Sequence, residues 1–192
     1  MNDVGATLLA ITLGLGLATA AGLRVFVPLL GAGLAARFGL ISLHDGFAWL
    51  GEPLALVALG TAALLEVVAY HVPWLDHALD TVATPAALVS GIMASAAVVA
   101  DVPPLVRWAI AIIGGGGVAG VVQGLTVATR IKSTVATGGL GNPLVSTAET
   151  LGAVVVVVMA VFVPLASLAL VVATVILTWR WLGRLAWRRH AP

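Results

Sequence analysis

The sequence predicts an all-α fold: a polytopic transmembrane helix bundle of six to seven spans whose first hairpin is broken or re-entrant. Three observations predict it. Hydrophobic residues fill 61% of the 192 positions and charged residues only 9%. A soluble domain carries roughly 25% charged residues, so this chain has too few to cover a water-facing surface. Mean hydropathy is +1.14, and in water such side chains would expose large apolar patches. The apolar residues also gather into runs of bilayer length, since about 20 residues at 1.5 Å each cover about 30 Å of hydrocarbon.

In order, the apolar segments are residues 5–22, 25–40, 53–71, 82–100, 105–127, 143–163 and 165–183. The first two flank a break at Ala21-Gly22-Leu23-Arg24. Together they are too long for one straight span and short for two, so they are expected to form a hairpin, re-entrant or fully spanning. Irregular backbone at depth is tolerated only where protein or a wet cavity surrounds it. Met1-Asn2-Asp3 offers no basic flank of the kind that precedes a cleaved signal peptide, so residues 1–22 are expected to stay in the bundle. The polar stretches 41–52, 72–81 and 128–142 are too short to fold independently, and residues 1–192 are expected to form a single integral membrane domain. Residues 72–81 set Trp74, Leu75, Ala78 and Leu79 against Asp76, His77 and Asp80, the pattern of a short interfacial helix starting after Pro73.

Basic residues set the expected orientation. Arg180, Arg184, Arg188 and Arg189 crowd the C-terminus among Trp179, Trp181 and Trp187, and Arg130 and Lys132 fall on the same side. Arg37 and Arg107 fall on the other. With Arg24 counted on the C-terminal side the bias is seven to two, and with Arg24 at depth it is six to two. Either count makes the C-terminus cytoplasmic. The N-terminus lies outside under the first and inside under the second.

Several function classes are excluded or disfavoured. A net charge of +1 without a basic tract argues against a nucleic-acid partner. The absence of cysteine removes disulfides, thiolate metal sites and a cysteine nucleophile. The run Gly114-Gly115-Gly116-Gly117-Val118-Ala119-Gly120 contains Gly-x-Gly-x-x-Gly, but no strand precedes it and it lies inside an apolar span, so it is no dinucleotide site. Asp76, His77 and Asp80 have a spacing a divalent metal accepts, yet a solvated interfacial helix explains it without metal. No nucleophile set, nucleotide loop or cofactor motif appears, and no enzyme or cofactor is expected.

The residues that carry chemistry are the polar ones a membrane span should avoid. Glu66 lies in Leu64-Leu65-Glu66-Val67-Val68, where a carboxyl at depth costs a few kcal/mol and reads as functional by default. Its alternative is a structural carboxyl, paired with an arginine or held by hydroxyls. Glu149 follows Asn142-Pro143, with Asn142 a candidate cap and the carboxylate favoured by the helix dipole. Around it, Thr137, Asn142, Ser146 and Thr147 border a glycine-rich break that suits an ion or polar-substrate site. Arg24, at the first break, is placed to pair with one of these glutamates or to snorkel to the interface. Ala18–Leu23 faintly echoes Ala136–Gly141, each followed by a proline, Pro28 or Pro143. Gly116, Gly120 and Gly124 repeat every four residues, a stripe for close helix packing within the bundle or in a homo-oligomer.

Three stretches carry a resemblance. They are Ala20-Ala21-Gly22-Leu23-Arg24-Val25-Phe26-Val27-Pro28-Leu29-Leu30 with Arg37-Phe38-Gly39; Leu65-Glu66 with Pro73, Asp76, Asp80, Thr84 and Pro85; and Thr129-Arg130 with Thr137-Gly138-Gly139-Leu140-Gly141-Asn142-Pro143-Leu144-Val145-Ser146 and Glu149. Over nearly its whole length the chain resembles the bacterial membrane family named domain of unknown function four-one-two-six. The resemblance implies a multi-pass protein of the bacterial inner membrane and adds weight to these motifs, but implies no activity. It also marks departures: members often have an acid where Thr150 stands, and Asp-Lys where Tyr70-His71 stand. The sequence thus leads to a small transporter or channel-like protein for an ion or polar solute, with Glu66, Glu149, Asn142 and the Thr137–Gly141 break lining its path. The competing expectation is a membrane scaffold or accessory subunit packed through the glycine stripe.

Overall fold

In the computed structural model, residues 4–72 and 75–166 are described, with a few isolated positions beyond them. Among these residues the chain is helical, without strands. Helix α1 spans Val4–Leu23 and α2 spans Val27–Arg37, followed by a 3₁₀ turn at Asp45–Gly51. Then come α3 (Pro53–Ala69), α4 (Leu75–Val98) and α5 (Pro104–Ala109). A π-helical stretch, Ile110–Gly116, joins α5 to α6 (Gly117–Thr137), and α7 spans Asn142–Phe162.

Prolines mark the starts. Pro53 and Pro104 open α3 and α5, while Pro28 and Pro143 fall in the second position of α2 and α7. A missing N–H costs nothing in a first turn. Pro85 sits inside α4, which membrane helices tolerate because neighbouring groups satisfy the freed carbonyl. Between α6 and α7 the turn is closed by Gly138 and Gly139, at φ of 64° and 89°. A side chain would strain both positions.

Helix α1 is apolar around its whole circumference, the mark of a helix surrounded by others. It is the centre of the bundle, touching α2, α4, α6 and α7. Leu17, Ala18, Ala20 and Ala21 are fully buried. After the break the chain doubles back, because Leu40 and Ile41 line a cavity with Ala6, Leu9 and Leu13 of α1. The first two helices therefore form the expected hairpin. Its second limb is short: the 11 residues of α2 reach only about 16 Å.

Among the described residues, four helical segments are long and apolar enough to cross a membrane: Val4–Leu23, Leu79–Val98, Pro104–Thr137 and Asn142–Phe162. A fifth is added if the 3₁₀ turn and α3, bent by 68° at their junction, count as one span. Of the expected segments, 25–40 yields only the short α2, and 165–183 lies largely outside the described residues. Two expectations between spans differ. The helix expected after Pro73 is present, but residues 75–81 are the first turns of α4 rather than a separate interfacial helix, and residues 128–137, expected as a loop, continue α6. The second difference has a visible cause. Gln123, Thr126 and Arg130 are buried at helical spacing, so these polar residues belong to an inward face.

Glycine packing follows the expected stripe only in part. A methyl group at Gly116 or Gly120 would come within about 3 Å of side-chain atoms of Ile92 or Leu88, a close approach, while at Gly124 it would meet nothing within 4 Å. The tightest contacts lie elsewhere. A Cβ at Gly115 would fall 2.6 Å from the Gly91 carbonyl oxygen, and one at Gly22 would fall 2.6 Å from that of Ala119. Gly115 closes the π-helical stretch together with Gly116, and such a stretch departs from the i→i+4 register on which the four-residue reading depends.

Candidate functional site

The break between α1 and α2 leaves backbone groups without helical partners inside the bundle, and these must be satisfied. Glu66, near the end of α3, does most of this. Its Oε1 accepts from the Val25 N–H at 2.8 Å and its Oε2 from the Phe26 N–H at 3.1 Å. The Ser90 hydroxyl of α4 donates to the Val25 carbonyl at 2.6 Å. Glu66 thus caps the start of α2 from a different helix, where a negative charge also meets the positive end of the dipole. Of the alternatives weighed for Glu66, the structure gives the structural one a specific form, with backbone amides in place of hydroxyls. Glu66→Gln is expected to destabilise the protein by about 1–3 kcal/mol, because an amide NH₂ would face an N–H and one donor would lose its acceptor. Thermal unfolding in detergent measures this; an unchanged midpoint would remove the cap from the account.

Arg24 pairs with the other glutamate. Its Nη1 lies 3.4 Å from Glu149 Oε2. Its Nη2 donates to the Ser146 hydroxyl at 2.6 Å and to the Ser146 carbonyl at 2.7 Å, and its Nε donates to Thr150 Oγ1 at 2.9 Å. Thr150, the position where the resemblance suggested an acid, serves here as a hydroxyl ligand to Arg24.

Arg130 completes the network. Its Nε donates to Glu149 Oε1 at 3.2 Å, its Nη2 donates to Glu149 Oε2, and its Nη1 donates to Asp80 Oδ1 at 2.8 Å. The Tyr70 hydroxyl also donates to Asp80 Oδ1, at 3.2 Å. Both guanidinium carbons lie over the Tyr70 ring, Arg24 at 4.5 Å and Arg130 at 3.8 Å from its centroid. The side chains of Arg24, Arg130 and Glu149 are 0, 5 and 7% exposed. Arg130 and Glu149 each lie seven residues inside their helices, counted from Thr137 and Asn142, or about 10 Å below the α6–α7 turn.

The remaining expected site residues fall around this centre. Ser146 belongs to it. Asn142 does not cap α7: it is the first helical residue, and its Nδ2 donates to Thr134 Oγ1 at 2.9 Å, tying α7 to α6. Thr137 stays at the exposed turn, where its hydroxyl accepts from the Gly141 N–H at 2.9 Å. Asp80, expected on a solvated interfacial helix, instead turns inward to Arg130 and Tyr70. The side chains of Asp76 and His77 lie outside the described set. Among the described residues no group of three His, Cys, Asp or Glu is placed to hold a metal.

Sequence reasoning missed Arg130, Asp80 and Tyr70 as members. Arg130 was legible in principle, since it continues the face of Gln123 and Thr126. Tyr70 carried no signal. Among the described residues, cavities of about 290 Å³ lie between α2 and α7, lined by apolar side chains, and beside Leu13, Val99 and Asp101 at the opposite end of α1.

No curated protein and no solved structure matches the chain. A family model does, over residues 11–184, and it takes in both breaks and every member of the charged network. The chain therefore belongs to the DUF4126 family, a domain of unknown function.

Proposed function

We propose that this membrane protein is a small transporter or channel-like protein for an ion or small polar solute, with the Arg24–Glu149–Arg130–Asp80 network as its closed gate. One observation carries the reading: charged side chains from the first break, α4, α6 and α7 converge on each other about 10 Å inside the bundle. Each ionised group at depth is costly to insert, and an apolar cluster of similar volume would hold the helices as well or better. Such a network suits a junction that must have two arrangements. Glu149 is the working carboxylate in this reading, because its partners are charged side chains that can exchange it, whereas both Glu66 oxygens are held by backbone amides of the α2 cap.

The described residues support four passes, α1, α4, α5–α6 and α7, and a fifth with the bent 3₁₀–α3 pair; a sixth would need the short α2. The terminal arginines still favour a cytoplasmic C-terminus in a bacterial inner membrane even with Arg24 and Arg130 drawn inward. A reporter fused after Pro192 should be active in the cytoplasm; periplasmic activity would reverse the orientation.

The transport reading predicts that wild-type proteoliposomes carry flux in a screen of ions and small polar solutes. Glu149→Gln should insert and reach the bilayer, yet show altered or lost flux. Full wild-type flux in a folded Gln variant would sink the gate. A scaffold is the second reading, favoured by the complete pairing of Arg24 and Glu149, and absence of flux in the wild type across the screen would support it.

A further inference from the structure

We propose that Arg24 and Arg130 form a binding site for a small oxyanion, and that the Glu149 carboxylate occupies it as a tethered ligand. This deepens the transport reading by naming a substrate class, and rests on it for the role of the site in transport.

The Glu149 carboxylate receives what a bound carboxylate or sulfate would receive. One edge of Arg130, through Nε and Nη2, grips both oxygens, and Arg24 Nη1 approaches Oε2 at 3.4 Å. A guanidinium edge presents two parallel donors matched to an oxyanion, which an ammonium cannot do. The decisive feature is that groups other than Glu149 hold both arginines in place. Arg24 is fixed by Ser146, Thr150 and the Tyr70 ring. Arg130 is fixed by Asp80 on its Nη1 and by the same ring. Removing the Glu149 charge therefore leaves two aimed guanidiniums rather than two loose ones. Of the other carboxylates, Asp80 engages a different nitrogen of Arg130, and Glu66 is spent on backbone amides. Asp80 is also the most exposed partner, at 15%, which puts the approach for an anion on the α4 side.

The test uses Glu149→Gln and Glu149→Ala, purified in detergent and titrated with sodium formate, sodium sulfate or sodium chloride at constant ionic strength. Bound ligand raises the melting temperature with the logarithm of one plus its concentration over Kd. A rise of that form with formate or sulfate, absent with chloride, is expected in at least one variant. Formate alone would assign a carboxylate site and sulfate alone a tetrahedral-oxyanion site. Adding Arg130→Lys should abolish the response, because the fork is lost. The same response to chloride as to the oxyanions, or no rise in either variant, overturns the proposal, as does failure of both to fold even with oxyanion present. The measurement needs no gradient, so its outcome separates from that of the flux assay. Oxyanion binding without flux would keep the site and discard transport; flux of a cation without oxyanion binding would do the reverse.

Discussion

Arg130→Met is expected to destabilise the protein by about 3–5 kcal/mol, the cost of removing one partner from a buried ion pair. The reason is local. Arg130 is the bidentate partner of Glu149 and the ion partner of Asp80. Methionine fills much of the volume but takes the guanidinium from both carboxylates, and Arg24 is left to hold Glu149 through one contact at 3.4 Å. Arg130→Lys should fall between methionine and wild type, since it keeps the charge and loses the fork. Unfolding in detergent, followed by helicity or by thermal melting, reads the order directly. If the methionine variant melts within about 1 kcal/mol of wild type, a magnitude typical of exposed pairs, the network does not hold α4, α6 and α7 together.

The second large effect is expected at Gly115. A methyl group there would press against the Ser95 hydroxyl and the Gly91 carbonyl oxygen, the latter at 2.6 Å. Overpacking typically costs about 1–3 kcal/mol. Because one obstacle is backbone, which cannot rotate away, Gly115→Ala should lie at the upper end, and Gly115→Val beyond it. Gly124→Ala is the control. Nothing lies within 4 Å of its added carbon, and alanine gains about 0.5–1 kcal/mol over glycine in a helix interior. Equal melting of the two alanine variants would show that α4 and the π-helical stretch do not approach as closely as described. It would also return the four-residue glycine stripe to consideration as a contact between protomers.

Gly115 and Arg130 illustrate why parts of this molecule were hidden in its sequence. The glycine stripe was read at every fourth residue, and that reading assumes an unbroken α-helix. The π-helical stretch at Ile110–Gly116 breaks the assumption, and no residue pattern announced it. Arg130 was read as a loop charge because the polar residues after Leu125 look like the end of a span. The helix continues to Thr137, because Arg130 and Thr134 meet partners from α4 and α7 instead of water.

What the sequence by itself determined is the solvent and the class of fold. A chain with 61% hydrophobic residues in bilayer-length runs has to form helices, because in lipid every backbone group must find its partner within the segment. The break before Arg24, the start of α7 at Asn142-Pro143 and the oddity of Glu66 and Glu149 were legible for the same reason: each violates the apolar rule locally. Only the tertiary structure decided which charge meets which. Arg24 and Glu149 are separated by 125 positions, and Asp80 and Arg130 by 50. Periodicity fixes the face a residue occupies, but not the neighbour that face will meet. Glu66 and Glu149 look alike in sequence, two carboxylates in apolar runs. Packing gave one to the amides that open α2 and the other to two arginines, and no residue pattern carries that division.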